Sequence, residues 1–150
     1  MARRSDQRRR AVFALYQHDL TGRPLEQTLP REAAVFTRAL AQAVLERQPE
    51  LDVLIASHAE GWALDRIAPL ERSLLRVALL EMLHPDAVPG QQPIPPEGAI
   101  DEAVETAKAY CGADAPGFVN GILAAVLRER QAAETGAGGT SGSAPRKASA

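Results

Sequence analysis

The sequence predicts an all-α domain, and three observations carry that reading. Alanine, leucine, arginine and glutamate abound, while aromatics are only 4% of a chain that is 45% hydrophobic. Such a composition favours helices and an aliphatic core. Apolar residues also recur three and four apart in successive stretches, each bounded by proline or glycine. Finally, residues 69–84 (PLERSLLRVALLEMLH) are apolar nearly all round, with only Arg76, Glu81 and His84 interrupting the run from Leu74 onward. A helix of that kind is walled in by other helices. It is therefore expected at the centre of the domain. Pro69 suits its first turn, where a missing N–H costs nothing, and Pro85 stops it.

The other elements follow in order. Ser5 is the expected N-cap of a first helix with Val12, Leu15 and Tyr16 inward and Phe13 and Leu20 beside them. Residues 24–29 make one short turn. Residues 31–48 form a helix striped by Phe36, Leu40 and Val44, and Pro49 opens another with Leu51, Leu54, Ile55 and His58 on one side. Gly61 ends it, Trp62 reads as a packing anchor, and Asp65 as the cap of a short turn. Residues 86–96 are rich in proline and divide the chain into two halves. The next helix aligns Ile100, Ala103, Val104, Ala107 and Cys111 and closes at Gly112. The last, residues 115–130, aligns Val119, Ile122, Leu123, Val126 and Leu127, with Gly121 marking a close backbone approach. Residues 1–134 thus make one helical domain. Residues 135–150, glycine- and serine-rich, are expected to be a disordered tail.

A net charge of −2 conceals an asymmetry. Residues 1–10 hold five arginines against Asp6, whereas residues 11–134 hold eighteen acidic and ten basic side chains. A basic arm on an acidic body points to a localised anionic partner. Cations at a helix N-terminus oppose its dipole by about 0.3–1 kcal/mol each, so a compensating charge is expected, and phosphate is the obvious candidate.

Several classes are set aside. The single cysteine, Cys111, precludes an internal disulfide, and no apolar run approaches the roughly 20 residues of a membrane span. The first apolar stretch meets Gln17, His18 and Asp19 too soon for a signal-peptide core, so a cytoplasmic protein is expected. His18, His58 and His84 are scattered, without ligand spacing, and no glycine-rich phosphate loop is present. Asp101, Glu102 and Glu105 read as the solvated first turns of a helix, and Cys111 as a small buried hydrophobe. No catalytic residue, metal or cofactor is expected. Arg72 and Arg76 share one face of the central helix, and a buried arginine needs an acceptor. Glu102 or Glu105 is expected to serve Arg76.

Four stretches together resemble the NusB family of bacterial transcription antitermination factors. They are RRRAVFALYQ at 8–17, IAPLERSLLRVALLEML at 67–83, IPPEGAIDEAVETAKAYCG at 94–112 and FVNGILAAVL at 118–127. The resemblance spans roughly residues 5–130, and FVNG after IDEAVETAK is its most specific part. It implies two small helical bundles packed across each other and no enzymatic activity. It implies binding to the boxA element of nascent ribosomal RNA transcripts together with NusE, a small-subunit ribosomal protein, within an RNA polymerase elongation complex that holds other Nus factors. Arg3, Arg4, Arg8 and Arg9 match the family's RNA-binding arginine motif, with Asp114 and Phe118 near the RNA at the start of the last helix. Tyr16 and Glu71 match positions facing NusE. Ser5 and Asp6 interrupt the arginine run, and the segment before Phe118 reads as a short loop. Other readings are a helical adaptor or homodimer without RNA binding, and a stand-alone relative of the NusB-like domain of RNA cytosine methyltransferases.

Overall fold

Helix α5 (Pro69–Leu83) is the element on which the others stack, and all ten residues from 73 to 82 are buried. The structure is a computed structural model that describes residues 3–88 and 93–139, and among these residues every regular element is helical. Before α5 come α1 (Arg4–Thr21), α2 (Leu25–Thr28), α3 (Val35–Glu46) and α4 (Gln48–His58); after it come α6 (Pro96–Tyr110) and α7 (Ala115–Gly139). Single 3-10 turns at Leu64–Arg66 and Pro85–Ala87 flank α5.

α1, α2 and α3 pack mainly with one another, as do α4, α5, α6 and α7, and α1 and α3 cross onto α5. This is the expected pair of small bundles. The divide falls between α3 and α4, however, and not at residues 86–96, which connect two helices of one bundle. Pro89 and Gly90 of that stretch lie outside the described residues. Leu40, Leu51, Ile55, Leu74, Leu75, Leu79, Leu80 and Leu123 are fully buried, so the core is aliphatic.

Three ion pairs tie α5 to its neighbours. Arg76, almost fully buried, donates through Nε and Nη2 to the Asp52 carboxylate of α4 at 2.7 and 3.1 Å. Arg72 donates to Asp19 of α1 at 2.9 Å, and Arg76 Nη1 reaches the same oxygen at 3.4 Å. This corrects the expected Glu102 or Glu105 partner: the arginine face of α5 turns towards α1 and α4, away from α6. At the other end of α5, Glu81 meets Arg8 of α1, so α1 and α5 run antiparallel.

Several local expectations also change. α1 begins at Arg4 with Arg3 in the cap position, and no side chain caps it. Ser5 instead lies inside the first turn, where its hydroxyl donates to Glu102 at 2.7 Å, a charged acceptor on another helix. Residues 31–34 stay outside α3 because Ala34 is extended. No side chain caps the Leu64–Arg66 turn, which Ala63 precedes. Cys111, with extended backbone, ends α6 in place of Gly112 and is half-buried. Trp62 is 54% exposed and is no packing anchor. α7 runs to Gly139, past the expected end of order at Glu134, although residues 128–136 bury nothing. The remainder of the tail lies outside the described residues.

Gly121 does not mark a close approach either. It is exposed, and a Cβ added there meets no atom within 4 Å. With the helical backbone compatible with any residue, Gly121→Ala is expected to stabilise the fold by about 0.5–1 kcal/mol through the lost freedom of the unfolded chain. Urea unfolding of the variant against the parent checks this, and a destabilised variant would show hidden crowding at that site.

Candidate nucleic-acid interface

The arginine arm is the first two turns of α1, and its side chains separate by burial. Arg8 is buried and forks onto Glu81, with Nε–Oε1 at 2.7 Å and Nη2–Oε2 at 3.0 Å. Glu102 stands 3.9 Å from its Nη1. Burial pushes the Glu81 carboxyl up from its ordinary value, the Arg8 hydrogen bonds and charge pull it down, and Glu102 pushes it up again. Arg4 and Arg10 are exposed, as is Arg3, and Arg9 is half-buried against Asp6 at 3.2 Å. The Arg4 guanidinium stacks on the Phe36 ring, 4.3 Å from its centroid, leaving its outer face to solvent.

The two flanks of the arm differ. On one side Arg3 and Arg9 share a concavity with Asp101, Glu102 and Glu105 of α6, which compete with any phosphate. On the other, Arg4 stands beside Phe36, His84, Pro85 and Ile94, with only Glu81 acidic, and that carboxylate is occupied by Arg8. Arg4 is the best placed of the arm's cations to meet an anion.

Asp114 and Phe118 lie elsewhere. They line an open groove of about 390 Å³ at the start of α5 and α7, together with Trp62, Arg66, Ile67 and Glu71. The segment that reads as a short loop before Phe118 is the first turn of α7. Partial burial raises the Glu71 carboxyl, and burial together with Glu71 raises the Cys111 thiol. Glu71 and Glu81 are ten residues apart on α5, so the groove lies about 15 Å along the helix from the Arg8 fork. Between them, Phe13 of α1 and the exposed Tyr110 of α6 meet edge to face at 5.0 Å. Tyr16 is only half-buried, whereas Val12 and Leu15 of the same inward stripe are buried. It precedes Asp19 by one turn, and Glu71 adjoins Arg72, so the Asp19–Arg72 pair brings both to the same end of the α1–α5 pair.

The comparisons with known proteins fit this arrangement. A family model described as the NusB family matches residues 5–128. The chain belongs to the NusB family. Two curated relatives, each called transcription antitermination protein NusB, come from Rubrobacter xylanophilus and Halalkalibacterium halodurans. The first is 39% identical over 82% of this chain and 88% of its own; the second is 38% identical over 80% and 90%. The solved T. maritima NusB superposes with a TM-score of 0.74 at 31% identity, covering 85% of this chain and 92% of that one. A chain from a crystal structure of NusB and NusE with double-stranded RNA shares the fold, with a TM-score of 0.69 at 24% identity over 84% of this chain and 96% of that one.

Sequence reasoning missed three features of this NusB-family surface: the Arg8–Glu81 fork, Phe36 as a platform for Arg4, and the place of Trp62 and Arg66 in the groove. The one available signal was Glu81, an acid inside an apolar run that demanded a cation. Among the described residues no three histidine, cysteine or acidic side chains are grouped to hold a metal, and no helix is long and apolar enough to cross a membrane.

Arg8→Ala leaves Glu81 buried without its fork and is expected to cost about 3 kcal/mol, whereas Arg4→Ala and Arg10→Ala change stability by less than about 0.5 kcal/mol. The Arg8→Ala deficit has a definite pH sign. A carboxyl raised above its ordinary 4.5 stabilises the fold in its protonated form and loses that contribution as pH rises through the folded value. The deficit therefore narrows as pH falls from 7 towards 4.5. Urea unfolding at the two pH values measures it, and Arg8→Met with Glu81→Leu should recover most of the loss.

Proposed function

We propose that this chain is a transcription antitermination factor that acts by binding, without catalysis. In this reading it holds the boxA element of nascent ribosomal RNA together with NusE and joins the elongating polymerase with other Nus factors in the cytoplasm. The observation that carries the reading is the ordered arginine arm, with Arg4 exposed on Phe36, in a chain whose curated relatives are antitermination proteins. A chain of the same fold has been crystallised with NusE and RNA, which supports the partner class. Arg3, Arg4 and Arg9 meet phosphate in this reading. Arg8 belongs to the same motif but acts from beneath, by fixing the arm to α5. Asp114 and Phe118 contact unpaired bases, where an aromatic ring is a natural platform. Tyr16 and Glu71 face NusE.

The test is titration against boxA-containing RNA and a scrambled control, with and without NusE. Affinity should fall with salt by about 0.7 in log–log slope for each phosphate contact to a single strand. Arg3→Ala with Arg4→Ala should weaken binding and flatten that slope while leaving the melting temperature unchanged. Salt-independent binding, or wild-type affinity in the double variant, counts against the arm as the RNA site.

The NusE surface is tested separately. Glu71→Lys and Tyr16→Asp are each expected to weaken NusE binding by about 1–3 kcal/mol, as small hot spots do. Glu71 is only partly buried, so Glu71→Lys should stay folded. Calorimetric titration with NusE, alongside circular dichroism, reads the outcome. Wild-type affinity in folded Glu71→Lys removes that residue from the interface, and unfolding of Tyr16→Asp makes Tyr16 a core residue.

A further inference from the structure

α7 outlasts the core that holds it. Ile122, Leu123 and Val126 are buried, and Glu129 takes the next place on that stripe, three residues after Val126. From 128 to 136 every residue is exposed. α4 runs out in the same way. Leu51 and Ile55 are fully buried, and His58, the last residue of the helix, stands three residues after Ile55. The two apolar stripes thus end in a histidine and a glutamate, and these meet: His58 Nε2 lies 2.9 Å from Glu129 Oε2. The imidazole is largely covered, while the carboxylate is largely exposed.

Every hydrogen-bonding neighbour of the ring is an acceptor. Nδ1 faces the Leu54 carbonyl at 2.9 Å and the Ser57 hydroxyl oxygen at 3.0 Å. That hydroxyl already donates to the same carbonyl, at 2.9 Å, so it can only accept from the ring. Nδ1 therefore carries a proton, and a neutral ring would turn a bare lone pair towards the carboxylate. Only the imidazolium satisfies both sides. Its place in the last turn of α4 favours the charge as well, because the helix dipole is negative there. The Leu54 hydrogen bond raises the His58 pKa above its ordinary 6.5, burial lowers it, and the hydrogen bond and charge of Glu129 raise it again, for a net rise. Glu129 is the one charge paired with the ring among the described residues. α5 brings Arg72 and Arg76, which Asp19 and Asp52 take. Arg128 and Arg130 of α7, and Glu60, Asp65 and Arg66 after α4, make no pair with it.

Beyond Glu129 the helix has little else to hold it. Residues 130–136 bury nothing, and the glycines at 136, 138 and 139 weaken its end. A helix end balanced in this way between helix and coil responds to a single contact. We propose that the His58–Glu129 pair is a proton-operated latch for the end of α7: the imidazolium holds the overhang to α4, and loss of its proton lets residues 130–136 fray. The latch does not depend on what the arginine arm binds. Its sign is definite. A histidine whose pKa is raised in the folded form contributes fully below 6.5 and loses that contribution as pH rises through the folded value. The overhang is therefore ordered in mild acid and frays on the alkaline side.

NMR of the full-length protein tests the latch. Cα chemical shifts give the helix-to-coil ratio of residues 130–136 at pH 6 and pH 8, and the His58 ring signals are titrated in parallel. The ratio should fall about two- to fivefold between the two pH values, the scale of one exposed ion pair. Molar salt should shrink that difference, because the carboxylate is open to solvent. Glu129→Gln should abolish the difference and lower the His58 midpoint, and His58→Gln should hold the overhang in its alkaline state at both pH values. Circular dichroism checks each variant. Glu129 is exposed, so Glu129→Gln decides should His58→Gln be unfolded. Shifts of residues 130–136 that are the same at pH 6 and pH 8 in the parent protein overturn the latch. So does a pH response that persists undiminished in a folded variant. A His58 midpoint that falls in Glu129→Gln while the overhang stays unchanged reduces the pair to a surface contact and overturns it as well.

Discussion

A buried helix that carries charges constrains everything packed around it. α5 is enclosed by five other helices, yet it holds Arg72, Arg76 and Glu81 among its leucines. An unpaired charge in such a place is far too costly to keep, so each must find its counterion on another element. Arg76 takes Asp52 from α4, Arg72 takes Asp19 from α1, and Glu81 takes Arg8 from α1. Two of the three pairs go to α1, at opposite ends. They fix its direction and its register on α5 in a way that greasy contacts alone do not.

That register has a functional consequence. Because Arg8 is held by Glu81, the arm stands as an ordered helix in spite of five cations that oppose the dipole. The buried arginine supplies the anchor, and its exposed neighbours carry their charge to the surface at set positions. Arg4 is further held by the Phe36 ring beneath it, which leaves one guanidinium face open. Order before binding reduces the entropy lost when a partner arrives. The same α1–α5 pair carries Tyr16 and Glu71, which we propose face NusE, to its other end. The two proposed surfaces are thus spaced by one helix, about 15 Å apart along its axis.

The connection from α4 to α5 shows a different kind of control. α4 ends at His58 with Ala59 as its cap, not at Gly61 as expected; Gly61, left-handed and beyond that end, turns the chain so that a tryptophan faces outward beside Arg66 and the start of α7. Nothing in the aliphatic core requires an indole there. Its placement makes sense as a surface feature, in a groove whose rings and charges are unsuited to closing the fold.

Period and punctuation alone determined the helical class, the central place of residues 69–84 and the stripes of α3, α6 and α7, because burial imposes a 3.6-residue repeat that any reader of the chain can see. The basic arm on an acidic body was equally legible, since charge is a property of composition. What residue spacing leaves open is which charge meets which. Arg76 was matched to Glu102 or Glu105 and belongs to Asp52 and Asp19; Arg8 was given no partner within the chain and is the buried partner of Glu81. Trp62 and Gly121 were read as close-packed and are exposed. For the helical residues the deciding quantity is the rotation of one helix against another, which changes no local preference; for Trp62 it is the turn at Gly61. Only the tertiary structure decided it, because a helix settles its own period but not which of its faces a neighbour will take.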